Sequence, residues 1–264
     1  NATPPKLEDL EVERPAVVTP AATRLEDSDP ALSTALVVAT SRPSPAAHRR
    51  VAELYQGHGV TDMAYDHLLA AERLAPDEAA TQDSLARLWR SVGMGGLGLG
   101  SAYRAAYEAP DSPEAHNTLG TLLQAVGHRE AARHAYERGL SLDPLAAYVL
   151  NNLCFLAYSQ GAYGEAAEHC EAAVRADPSL EKAYNNLALV YFSTGRDELA
   201  WKALQNAGSI WTAMYNLGVI HMARGNHQAA AAAFGAVSRA KPNWAEPRRR
   251  AKQAKEQSTT GTVR

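Results

Sequence analysis

Small and apolar positions recur along this chain in a fixed order, and the order restarts every 34 residues. Pro76, Pro110, Pro144 and Pro178 mark the interval, and Pro242 closes a last segment after one shortened step. Each interval reads as two helices around a glycine, with Gly59, Gly93, Gly127, Gly161, Gly195 and Gly225 at the turn, where an unusual backbone conformation costs Gly least. Ala52, Ala86, Gly120, Cys154, Ala188 and Gly218 hold one position in the first helices. Ala64, Gly98, Ala132, Ala166, Ala200 and Ala230 answer them in the second helices. Small residues at matching places let two helix backbones approach, while larger side chains fill the space above and below. A unit of this length buries its apolar face only by stacking on its neighbours, so the fold class is an all-α solenoid.

The units run 45–78, 79–112, 113–146, 147–180, 181–210 and 211–244. The fifth is short, and its second helix is expected to stop early, at Gly208. The second unit carries Gly93, Gly95, Gly96, Gly98 and Gly100 in its turn and second helix. Each interior Gly costs about 0.5–1 kcal/mol relative to Ala. That helix is either the least stable of the array or open to close approach by something else. Residues 1–28 read as a flexible, Pro-rich acidic tail, and 29–44 as a short helix and linker that starts at Ser28-Asp29-Pro30. Residues 243–257 read as a capping helix with Trp244 and Ala251 inward, and 258–264 as a tail.

The third unit carries Leu119-Gly120, Ala132, Tyr136 and Pro144, and the sixth Leu217-Gly218, Ala230, Phe234 and Pro242. In the fifth, Tyr184, Leu187-Ala188, Tyr191 and Ala200 occupy the same places. This pattern resembles the tetratricopeptide repeat family. The resemblance implies a right-handed superhelix of six helix-turn-helix repeats whose first helices line a concave groove. It also implies a non-catalytic scaffold that binds a peptide or helix of another protein.

By register, the groove residues of the later units are Asn117; Asn151, Asn152, Phe155 and Tyr158; Lys182, Asn185, Asn186, Leu189 and Phe192; and Tyr215, Asn216, Val219 and Met222. Asparagine offers both donor and acceptor, so a row of amides can hold a peptide backbone without reading its sequence. Asparagine ladders in similar proteins grip extended peptides, and Asn152, Asn186 and Asn216 carry that role by resemblance. Aromatic and aliphatic neighbours supply desolvated anchors. Lys182 is the single basic residue on these inner faces, which leaves too little positive charge for a carboxylate clamp.

Composition narrows the function. Net charge is −3 and pI about 6.3, which excludes a binder dominated by basic surface, so no nucleic-acid partner is expected. The basic run Arg248, Arg249, Arg250, Lys252 and Lys255 is a solvated helix face. Nine histidines are scattered without a His-Glu-x-x-His arrangement, no Gly-x-Ser-x-Gly elbow appears, and the expectation is no metal, no cofactor and no enzyme. Cys154 and Cys170 fall on facing helices of one unit, as two buried thiols or, in an oxidising compartment, a disulfide. The Pro-rich acidic leader and six repeats also resemble pilotin-like lipoproteins that assemble bacterial pili or guide a secretin, with membrane contact through an upstream anchor. That reading implies periplasm or outer membrane, and the alternatives are a cytoplasmic scaffold or a regulatory subunit of an enzyme on another chain.

Overall fold

A computed structural model describes residues 25–260. The leader expected over 1–28 therefore lies mostly outside the described residues, and so do 261–264 of the expected tail. The described residues are all helix and turn. They divide into two compact units, one ending at Ser84 and the other beginning at Leu85.

The first unit contains α1 (Pro30–Ser41), α2 (Pro45–Gly57), α3 (Thr61–Leu74) and the start of α4 (Ala79–Ser91). Asp29 begins α1 by accepting from the Ala31 and Leu32 amides at 2.8 and 3.2 Å, with Pro30 in the first turn. Ser44 begins α2 in the same way, ahead of Pro45. Such caps satisfy amides that the helix itself cannot reach, and each contributes about 1 kcal/mol. α1 buries Leu32, Ala35 and Ala39, one stripe of a 3.6-residue repeat. The segment leading into α1 is held to the first repeat by its acids: Tyr55 donates to Glu26, and His58 Nε2 lies 2.7 Å from Asp29 Oδ2. Between α2 and α3, the Nδ1 atoms of His48 and His67 meet at 3.0 Å, with the Tyr55 ring beyond His67.

The second unit continues through α5 (Gly95–Glu108), α6 (Pro113–Ala125), α7 (Arg129–Leu142), α8 (Ala147–Ser159), α9 (Tyr163–Ala176), α10 (Glu181–Ser193), α11 (Asp197–Asn206), α12 (Ile210–Ala223), α13 (His227–Ala240) and α14 (Ala245–Thr260). The turn glycines of the six helix pairs all have φ between 74° and 87°, the left-handed region that a side chain disfavours. α11 has 10 residues where α9 and α13 have 14. It ends at Asn206, Gly208 turns at φ 121°, and Ser209 at once caps α12 by accepting from the Thr212 amide. The shortened repeat thus loses its residues from one helix end. The cap α14 runs 245–260 rather than 243–257, and Trp244 stands just ahead of it.

Each of the last four repeats is locked by one pair of positions sixteen residues apart. In the third, a Cβ on Gly120 would lie 2.5 Å from the ring of Tyr136, which is fully buried. In the sixth, Gly218 stands against Phe234 in the same way, at 2.7 Å. The fifth uses Ala188 with Leu204, both fully buried. The fourth uses Cys154 and Cys170, joined as a disulfide with Cα atoms 5.2 Å apart. Small residue and large residue trade volume across one interface, so each repeat fills the same space differently.

Candidate functional site

Side-chain amides run along the first helices of the second unit. Asn152 Nδ2 donates to Asn117 Oδ1 at 2.7 Å, Asn186 to Asn151 at 2.8 Å, and Asn216 to Asn185. Each rung joins the second asparagine of one repeat to the first asparagine of the repeat before it. The ladder ends where Tyr215 takes the place of a first asparagine; its ring lies 4.8 Å from that of Trp244. An amide carries two N–H donors and an acceptor, so one rung leaves hydrogen-bonding capacity on every member. The rungs are inter-repeat contacts in their own right, a use of Asn152, Asn186 and Asn216 that peptide-gripping by resemblance did not include.

The expected groove residues separate into three groups. Phe155 is 45% exposed, Lys182 is exposed, and Asn152, Tyr158, Asn185, Asn186 and Leu189 are half-buried. Tyr158 is steadied by the Tyr163 ring at 5.7 Å and by the Ser193 hydroxyl. Phe192 and Asn151 are corrections, because they are only 4% and 8% exposed. The Arg224 guanidinium sits over the Phe192 ring at 5.3 Å, and Asn151 is closed in as a rung acceptor. The sixth repeat also departs from the register reading. Tyr215, Val219 and Met222 are half-buried and pack against the cluster of Ala230, Phe234, Ala251 and Ala254, so part of the inner face there is taken up by α13 and the cap. Their apolar character, read from register as a binding surface, serves at least in part to cap the array's open end. Trp244 and Ala251 were legible as inward residues of the cap; what they cover was not.

Chemistry-bearing side chains are mostly spent on structure. Arg133 donates to Glu165 and to Gln160, and holds the Glu165 carboxyl below the usual carboxylate range. Burial raises Tyr148, next to Glu114, to about 12. Burial lowers His48 and His67 and keeps both neutral near pH 7. Among the described residues no group of three or more His, Cys, Asp or Glu side chains is placed to hold a metal ion, and no helix is long and apolar enough to cross a membrane.

Residues 117–181 and 202–243 match the family model for the tetratricopeptide repeat. Those residues carry tetratricopeptide repeats, and the helix pairs outside them follow the same helix-turn-helix arrangement. No curated protein matches it by sequence. Solved structures of the same fold include the Cut9–Hcn1 hetero-tetramer of the APC/C, with TM-score 0.70 and 14% identity over 84% of this chain and 45% of that one. A tetratricopeptide repeat protein from Parabacteroides merdae has TM-score 0.66 and 16% identity over 89% of this chain and 95% of its own. PilW, a type IV pilus biogenesis factor, has TM-score 0.64 and 18% identity over 77% and 96%. At these identities the likeness is one of fold.

Proposed function

We propose that the chain is a protein-interaction scaffold that holds an extended or helical segment of a partner across the fourth and fifth repeats. The observation that carries this reading is Phe155, a large apolar side chain left 45% exposed on α8 while the residues around it, Leu153, Cys154 and Leu156, are buried. Asn152 stands one turn before it on the same helix face, with amide capacity beyond its rung to Asn117. An aromatic anchor beside unspent amides is what a partner backbone with one apolar side chain requires. Co-purification with wild type, Phe155→Ala and Phe155→Glu tests this. The wild type should retain a partner that both variants lose, with unchanged melting temperature. Equal retention by all three would remove the groove from consideration.

A second reading, an assembly factor at a bacterial envelope, draws on two observations. One is the fold likeness to PilW. The other is the buried Cys154–Cys170 disulfide, a bond that persists in oxidising compartments. Mass mapping of the protein isolated from its native cell, with free thiols blocked at lysis, separates a periplasmic from a cytoplasmic residence.

A further inference from the structure

The glycines of the second repeat have separate explanations, except for two of them. Gly93 makes the turn at φ 77°. A Cβ on Gly98 would come within 2.9 Å of the Ala86 carbonyl oxygen, and one on Gly95 within 3.3 Å of Ala125 Cβ. Gly96 and Gly100 have nothing within 4 Å, so packing gives no reason for either. Each weakens an exposed helix by about 0.5–1 kcal/mol.

Gly96 borders a hollow of about 400 Å³ at the turn edge between the second and third repeats. This is within the range of about 300–1,000 Å³ typical of ligand sites. Its apolar lining is Met94, Leu97, Ala125 and Val126, of which Met94 and Leu97 are 52% and 50% exposed. The equivalent edges of later repeats differ. Where the second repeat has Val92 and Met94, the fourth has Gln160 and Ala162, the fifth Thr194 and Arg196, and the sixth Arg224 and Asn226. Two of the later edges are also bridged by side chains: Arg133 reaches from the third repeat to Gln160 and Glu165 of the fourth, and Arg224 of the sixth pairs with Asp197 of the fifth at 3.5 Å. The edge at Gly96 has apolar side chains in the open, and beside them Arg90, which is exposed and has no ion pair among the described residues.

We infer that this hollow is a second docking site, distinct from the Phe155 surface, for a segment of a partner protein that carries an apolar side chain flanked by glutamate or aspartate. The apolar side chain replaces water over Met94, Leu97 and Val126, where Gly96 leaves room for it. The flanking carboxylate meets the Arg90 guanidinium, a pairing suited to two parallel hydrogen bonds. A polar segment gains nothing from the lining, and a basic one is repelled by Arg90.

The test uses an N-acetylated, C-amidated peptide with a Leu-Phe pair flanked by glutamates, and its counterpart with glutamines. Binding is followed by amide NMR shifts of the full chain. The glutamate peptide should move Gly93, Gly95, Gly96 and Leu97 saturably, and bind about two- to fivefold tighter than the glutamine peptide. Arg90→Gln should erase that preference. Gly96→Leu should fill the hollow and abolish the shifts, while its melting temperature holds or rises because Leu favours the helix. Four results would overturn the inference: equal affinity for the two peptides, binding that survives Gly96→Leu, shifts confined to residues around Phe155, or concentration-dependent shifts of the same amides without peptide, which would assign the hollow to a second copy. Phe155→Ala should leave the peptide shifts intact, which separates this site from the groove.

Discussion

The third and fourth repeats share one helix-pair geometry and reach it by unlike chemistry. In the third, Gly120 on α6 yields its whole side-chain volume to the buried ring of Tyr136 on α7. In the fourth, the same two places on α8 and α9 hold Cys154 and Cys170, and a covalent bond spans the gap that the ring fills elsewhere. What stays constant along these repeats is a separation between helices, met by paired volume. A ring resists compression and gains from burial; a disulfide has little bulk and acts mainly by limiting the unfolded chain.

The largest effect should come from the fourth repeat. Cys154→Ala with Cys170→Ala removes both the crosslink and some volume, and a bridge of this loop length contributes about 2–4 kcal/mol. Urea unfolding should show that loss, and a reductant should shift the wild-type midpoint but not that of the double variant. Next in size is Gly120→Ala, whose added methyl would stand 2.5 Å from the Tyr136 ring and is expected to cost about 1–3 kcal/mol in the same measurement. Gly164→Ala is its counterpart in open space on α9, and should stabilise by up to about 1 kcal/mol. If Gly120→Ala were as mild as Gly164→Ala, the paired-volume account would fail.

A smaller effect sharpens the contrast between the disulfide-locked repeat and the first unit, which relies on titratable contacts. Burial holds His48 and His67 below the ordinary imidazole value, with Arg73 also lowering His48, while Asp66 and Glu26 oppose the shift at His67. The unfolded chain therefore takes up protons first as pH falls. The stability these groups contribute is present above about 6.5 and is lost progressively below it. The lowered carboxyl of Asp29, hydrogen-bonded to His58, adds to the loss at lower pH. Amide-exchange protection in α2 and α3, taken relative to the intrinsic rate at each pH, should fall between pH 7 and 5 more than in α8 and α9, and His67→Phe should flatten the difference.

Fold was largely legible from the chain. The proline interval, the glycine turns and the small-residue positions are local rules of helix ending and close packing, so they register in one dimension. The early end of α11 was readable for the same reason, because Gly208 and Ser209 are a stop and a start in sequence. The candidate site was only partly legible. Register places Phe155, Phe192 and Met222 on one helical face, yet Phe155 is open, Phe192 lies under Arg224, and Met222 lies against the cap cluster. Exposure depends on what a neighbouring repeat or a terminal helix lays across that face, and no single repeat encodes its own cover.

By itself, then, the sequence determined which segments are helical, where they turn and how closely each pair can pack. Those are properties of a backbone and its nearest side chains. Tertiary structure decided that asparagines bind one another across repeats, that the two facing cysteines are bonded, and that one turn edge stays hollow. Each of these depends on distances between residues on different helices, 16 to 35 positions apart, which only the packed array sets.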